Sequence, residues 1–178
     1  MSDQAHPHPD PGPGPNVTKA RAAQRRLRFR VFDLGVVDGN HNMVHAINNA
    51  GHVVGAALTD RRNVQAFVSN GRKRVLGTLG GVFSAAHGIN NAGQIVGGSL
   101  TGDNEHFHAF LFTGNAMYDL NELIVDAGRW ELVQAVGIND QGQIVGVGLL
   151  EGEDHVFLLH PDKNTHRRRA SRSRPRVV

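Results

Sequence analysis

The stretch VHAINNAGHVVGAAL, residues 44–58, returns as AHGINNAGQIVGGSL at residues 86–100 and as AVGINDQGQIVGVGL at residues 135–149. Self-similarity at this period is the mark of a chain built from like supersecondary units, each packed on its neighbours. The copies align residue by residue. Ile47-Asn48, Ile89-Asn90 and Ile138-Asn139 correspond, followed by Gly51, Gly93 and Gly142, and then by Gly55, Gly97 and Gly146. Spacings of 42 and 49 residues separate successive copies. Phenylalanines recur at Phe67, Phe110 and Phe157, and the motifs DLGVV, VLGTL and DLNEL precede the copies at Asp33, Val75 and Asp119.

Within each copy the runs around HAIN, HVVG, AFVS and RVLG are four to six residues long and rich in Val, Ile, Phe and Leu. Gly, Asn and Asp separate them, so they read as short strands joined by turns. INNAG and INDQG lie between two such runs and predict hairpin connections, with glycine supplying positive φ and the Asn or Asp side chain bonding nearby backbone. No helix-length periodic stretch interrupts the body.

The phase of the array is informative. The last copy ends at HVFLLHP without the fourth strand that follows AFVS and HAFLF, while RFRVFDLG supplies an extra strand before the first copy. An array that begins with the strand its last unit lacks can close by pairing its ends, which removes exposed edges. The predicted fold is therefore all-β, a propeller-like array of three four-stranded repeats with the N-terminal strand completing the last. Three blades are too few for an ordinary ring. A homodimer pairing its end strands, to make a six-unit ring, follows as one expectation, and a threefold β-trefoil or β-prism as the competing fold.

The repeats occupy residues 28–161, divided as 28–70, 71–114 and 115–161. Residues 1–27 pass from a Pro-rich to a basic segment, and residues 162–178 are Arg-rich; both read as disordered tails. Charge is divided in the same way. Between Val31 and Pro161 stand 6 Lys and Arg against 13 Asp and Glu, so an acidic body carries basic tails although the whole chain is at +3. The absence of cysteine excludes disulfides and thiol chemistry. No run approaches the roughly 18 apolar residues of a membrane helix, and the N-terminus lacks the pattern of a secretory signal.

HFHAFLF at His106–Phe112, with GINNAGQIVGGS and VLGTLGGVFSAAHGIN, resembles the HAF-repeat family, bacterial repeat proteins described as probably extracellular. The triplet stands as His108-Ala109-Phe110, and in the outer copies as Gln65-Ala66-Phe67 and His155-Val156-Phe157. The resemblance covers roughly residues 31–161, and DLNELIVDAGRWELVQAVGINDQGQIVG followed by VFLLHP is similar to the family's terminal unit. It implies a β-propeller-like fold and no defined reaction. Without an export signal the default expectation for location is cytoplasmic.

Candidate chemistry is sparse. His45 and His87 occupy equivalent places two residues before Ile47 and Ile89, so strand alternation points them to the same side as those isoleucines, and the Val136 equivalent in the third copy makes a packed or interface role expected over a ligand role. His106, His108, His155 and His160 meet only if neighbouring repeats bring them together, and no carboxylate is spaced to make a known metal site. The Asn pairs at 48–49 and 90–91 read as turn residues rather than calcium ligands. Ser69, Ser84 and Ser99 lack a nucleophile context, and the glycines of GTLGG precede no phosphate-binding helix. No catalytic residue, cofactor or metal is assigned.

Three functions follow. The first is a non-enzymatic scaffold whose inter-strand loops, such as Thr59–Val64 and Thr101–His106, bind a protein or glycan. The second is binding of nucleic acid or an anionic membrane surface by Arg167, Arg168, Arg169, Arg172, Arg174 and Arg176. The third is a polysaccharide-active enzyme, which needs Asp119, Glu122, Asp140 and their neighbours clustered on one face.

Overall fold

The short apolar runs become strands, and the glycine–asparagine punctuation becomes the turns between them. The structure is a computed structural model, and it describes residues 29–31, 33, 42–59, 63–125 and 128–162. The first four of these, in a unit of their own, carry no strand. The tail expected at residues 1–27, and that at 162–178 beyond Asp162, lie outside the described residues, as do Arg28, Phe32, Leu34 and Gly35 of the extra N-terminal strand, whose remaining four residues form no strand.

Each fourth strand, Lys73–Gly77 and Ala116–Asp119, pairs with the strand before it, so it belongs with the copy before it and the divisions expected at 70/71 and 114/115 move beyond it. The first repeat then forms β1 (Asn42–Ile47), β2 (Val53–Leu58), β3 (Val64–Ser69) and β4 (Lys73–Gly77). The second forms β5 (Gly80–Ile89), β6 (Ile95–Thr101), β7 (Phe107–Thr113) and β8 (Ala116–Asp119), followed by a 3-10 turn at Leu120–Glu122. The third forms β9 (Trp130–Ile138), β10 (Ile144–Leu150) and β11 (Glu153–Leu159). Pairing within each repeat is antiparallel between sequence neighbours. The protein is all-β and its sheets are open. One parallel pairing, Val64 with Phe83, joins the first two repeats into a single hydrogen-bonded sheet, while β9–β11 form their own. The outer edge of β11 has no strand partner among the described residues.

Each INNAG turn has the same geometry. Asn48 N–H donates to the His52 carbonyl and Gly51 N–H to the Asn48 carbonyl, both at 3.0 Å, with counterparts at Asn90 and Asn139. Gly51, Gly93 and Gly142 all have φ of 77°, in the left-handed region that a side chain resists.

The core lies between repeats rather than within one. Val54, Ala66 and Leu76 of the first repeat pack with Ala86, Ile89, Ile95 and Phe110 of the second. The equivalent positions, Val96, Ala109 and Leu120, pack with Ala135, Ile144 and Phe157 of the third. Buried serine helps to join the first two repeats: Ser84 Oγ accepts from Ala66 N–H at 2.8 Å and donates to the Gly77 carbonyl at 2.6 Å.

Close approach at one glycine position sets the sheet geometry. A Cβ on Gly97 would clash with the Ala85 carbonyl and stand 2.8 Å from the Phe110 ring, and Gly55 and Gly146 are crowded in the same way by the Met43 and Gln134 carbonyls. The Phe110 ring lies over bare backbone, fully buried. Gly97→Ala is expected to destabilise the fold by about 2–3 kcal/mol through overpacking. Thermal unfolding of the variant, beside Gly102→Ala where a Cβ would meet nothing within 4 Å, checks this.

Candidate binding surface

Antiparallel pairing sends the INNAG turns to one end of the sheets and the longer connections, Thr101–His106 among them, to the other. The two ends carry different chemistry.

At the turn end the asparagines form a ladder from repeat to repeat. Asn48 Nδ2 donates to the Asn90 carbonyl at 3.1 Å, and Asn90 Nδ2 donates to the Asn139 carbonyl at 3.0 Å. The next position repeats the pattern: Asn49 N–H donates to Asn91 Oδ1 at 2.9 Å, and Asn91 N–H to Asp140 Oδ1 at 2.8 Å. Each first asparagine also organises its own turn, as when Asn48 Oδ1 accepts from Ala50 and His52 N–H. The two bonds from Asn91 hold the Asp140 carboxyl below its ordinary pKa. Turn chemistry explains the asparagines only in part. Their phased recurrence was the signal for the ladder.

His45 and His87 lie on β1 and β5 close to this end. The expected strand alternation fails there, because the pairing register shifts between Val44 and Ala46, between Ala86 and Gly88, and opposite Val136 in the third repeat. Each is the extra residue of a bulge, and a bulge re-aims its side chain. The rings of His45 and His87 stack with centroids 4.6 Å apart. His45 Nδ1 lies 2.7 Å from the Ala86 carbonyl and donates to it. Gln134 Nε2 donates to His87 Nε2 at 2.6 Å. These residues bridge repeats at their surface rather than filling a core.

The loop end carries charge and aromatic surface. Thr101–His106 is held by its own polar groups: Asp103 accepts from Thr101 Oγ1 at 2.5 Å, Glu105 N–H at 2.9 Å and His106 Nδ1 at 2.9 Å. Those bonds keep the Asp103 carboxyl well below the usual carboxylate range, and the same carboxylate raises the His106 imidazole. Asn104, at φ 61°, accepts from Val82 N–H at 2.8 Å and pins the loop to β5. Beside it, His108 Nδ1 bonds Asp119 Oδ2 at 2.6 Å, and its Nε2 lies 3.9 Å from Glu131 Oε1. Trp130, next to Glu131, meets His155 edge to face at 5.8 Å. An exposed pair, Arg129 and Glu151 at 3.4 Å, completes this end.

A third feature is a groove of about 560 Å³ at the C-terminal end of β11, between the second and third repeats, lined by Leu111, Leu120, Ile124, Ile144, Leu159 and Pro161 among others. In the first two repeats β3 and β7 pair with a fourth strand, β4 and β8.

The repeat-motif residues take structural places. Phe67, Phe110, Phe157 and Ala109 are buried, Ile89 is buried against the first repeat, Ile138 is half-buried, and Ile47 is exposed. His106 and His108 come within 6.0 Å of each other, whereas His155 meets Trp130 and His160 bonds Gln143. Among the described residues no group of His, Asp and Glu is arranged to hold a metal ion. Asp119 and Asp140 are engaged by different partners, His108 and Asn91. Ser99 Oγ accepts from Leu79 N–H at 2.9 Å, a backbone-bridging role like that of Ser84. Arg167, Arg168, Arg169, Arg172, Arg174 and Arg176 lie outside the described residues. No helix among the described residues is long and apolar enough to cross a membrane.

No protein-family model matches the chain, and no curated protein or solved structure matches it.

Burial, and then the neighbouring His45, hold the His87 imidazole below the ordinary histidine value. The unfolded chain therefore binds this proton more readily than the folded one. The resulting stability is present above about pH 6.5 and is lost as pH falls below it, toward the folded pKa. Melting temperature is expected to drop between about pH 7.5 and pH 5. His87→Val, which installs the residue found at the equivalent Val136, should flatten that drop. An unchanged pH profile in the variant would contradict the assignment.

Proposed function

We propose that this chain is a non-enzymatic repeat module of the HAF-repeat kind that binds a protein or glycan through the loop end of its sheets. The array is propeller-like, with the N-terminal strand completing the third repeat either within one chain or as end-strand pairing of a homodimer. The outer edge of β11, which has no strand partner among the described residues, supports this completion, since a fourth strand pairs with the equivalent strand in the other two repeats.

The observation that carries the binding reading is the fixed yet exposed Thr101–His106 loop beside the Trp130–His155 pair. A loop whose geometry is set by its own hydrogen bonds presents polar groups with little ordering cost on binding. The half-buried indole adds apolar surface at this end, where Asp103, His106 and Glu131 supply acceptors and donors. That combination suits hydroxyl-rich or polar peptide ligands. Side chains already satisfied by one another, as in His108 and Asp119, serve to position the surface.

Trp130 is the only tryptophan of the chain, so its emission reports occupancy directly. Screening the full chain against a glycan array and a displayed peptide library should yield ligands that shift this emission. Asp103→Ala should weaken their binding by about tenfold while leaving the melting temperature within a few degrees. Ligands whose affinity is unchanged in Asp103→Ala and Trp130→Ala would overturn the loop-end assignment.

A further inference from the structure

The two interfaces between repeats are built from the same positions. On the outgoing side these are Val54, Ala56, Ala66 and Val68 of the first repeat and Val96, Gly98, Ala109 and Leu111 of the second, all buried or half-buried. The third repeat places Val145, Val147, Val156 and Leu158 at those positions, and they are 42–81% exposed. Four aliphatic side chains in register on one open sheet face are more than the scattered apolar residues of an ordinary surface.

The incoming side shows the complement. Ala86 and Ile89 of the second repeat, and Ala135 of the third, are buried against the preceding repeat. Their counterparts in the first repeat, Val44 and Ile47, are 61% and 66% exposed. Phe67 and Val53 on that repeat are already buried, so the incoming surface is centred on β1.

The polar ladder has the same direction and the same open ends. Asn48 and Asn90 donate through Nδ2 to the asparagine carbonyl of the following repeat, while Asn139 Nδ2 donates only to Gln143 Oε1 of its own turn. Among the described residues the donor position that reaches forward in the first two repeats thus stays within its own turn in the third, and Asn48 begins the described ladder.

We infer that the outgoing face of the third repeat docks on β1 of a second copy of this chain, continuing the repeat stack head to tail. The occupant is specified by continuity with the two internal interfaces: the outgoing apolar positions are exposed on the third repeat, the complementary β1 positions Val44 and Ile47 are exposed on the first, and the asparagine ladder runs between them. Such a contact is heterologous, closing into a ring if the rotation per copy allows and otherwise propagating. It rests on the stacking of repeats and is independent of any ligand at the loop end.

Two single-face variants test it, both at exposed positions where the monomer fold should persist: Val156→Lys on the outgoing face and Val44→Lys on β1. Circular dichroism and thermal melting check the fold, and Val147→Lys and Ile47→Lys are second variants of the same faces. Sedimentation velocity of the full chain should show concentration-dependent association, weakened by about tenfold or more in either variant alone. An equimolar mixture of the two retains one working face on each partner and should restore a one-to-one complex. A wild-type chain that stays monomeric, or a Val44→Lys chain that associates as the wild type does, would overturn the inference, the second result indicating pairing between like ends or edges. Neither result touches the Trp130 binding assay, so the two readings fail separately.

Discussion

A sheet that is apolar on both faces cannot stand alone in water, and the middle repeat of this chain is such a sheet. Ile95, Phe110 and Ile89 point toward the first repeat, while Val96, Ala109 and Leu120 point toward the third. Burial of both sets is the main favourable term available to a chain whose individual sheets have no enclosed interior of their own. Everything else follows from keeping these sheets at contact distance. Glycine at positions 55, 97 and 146 lets a phenylalanine ring lie on bare backbone, and small residues such as Ala66 and Ala109 keep the opposing surface flat enough to receive it.

Apolar contact alone is non-directional and would tolerate sliding between sheets. Register is supplied by polar groups that reach across. Asn48, Asn90 and Asn139 tie the turns together in order, Ser84 links β3 to the chain beyond β4, and the bulged His45 and His87 place their rings in contact between repeats. Ser84 and Asn90 are buried and Asn48 and His87 half-buried, so losing a partner at those positions costs more than the bond itself contributes. The repeat direction is therefore encoded twice, in shape and in hydrogen-bond polarity.

The all-β character was legible because short β-branched runs between Gly and Asn admit little else, and the hairpin turns because a left-handed position favours glycine. The third repeat has three strands among the described residues, and that difference was legible as a phase shift. Other features were hidden for identifiable reasons. Strand alternation predicted that His45 would share the side of Ile47, but a bulge inserts one residue and breaks the alternation locally. The parallel pairing of Val64 with Phe83 arises from how two repeats meet and has no local signal. The loop-end cluster likewise joins His108, Glu131, Trp130 and His155 from two repeats that are separated by turns along the chain.

The sequence by itself determined the number of repeats, the strand and turn chemistry within each, and the pairs of positions that had to be small or aromatic, because these depend on backbone geometry and periodicity over a few residues. Only the tertiary structure decided which face of each sheet meets which neighbour, that the asparagines bond from turn to turn, and that β1 and the outgoing face of the third repeat leave aliphatic side chains exposed. Those outcomes depend on distances between residues some forty positions apart, which local preference does not specify and which only the packed arrangement brings within bonding range.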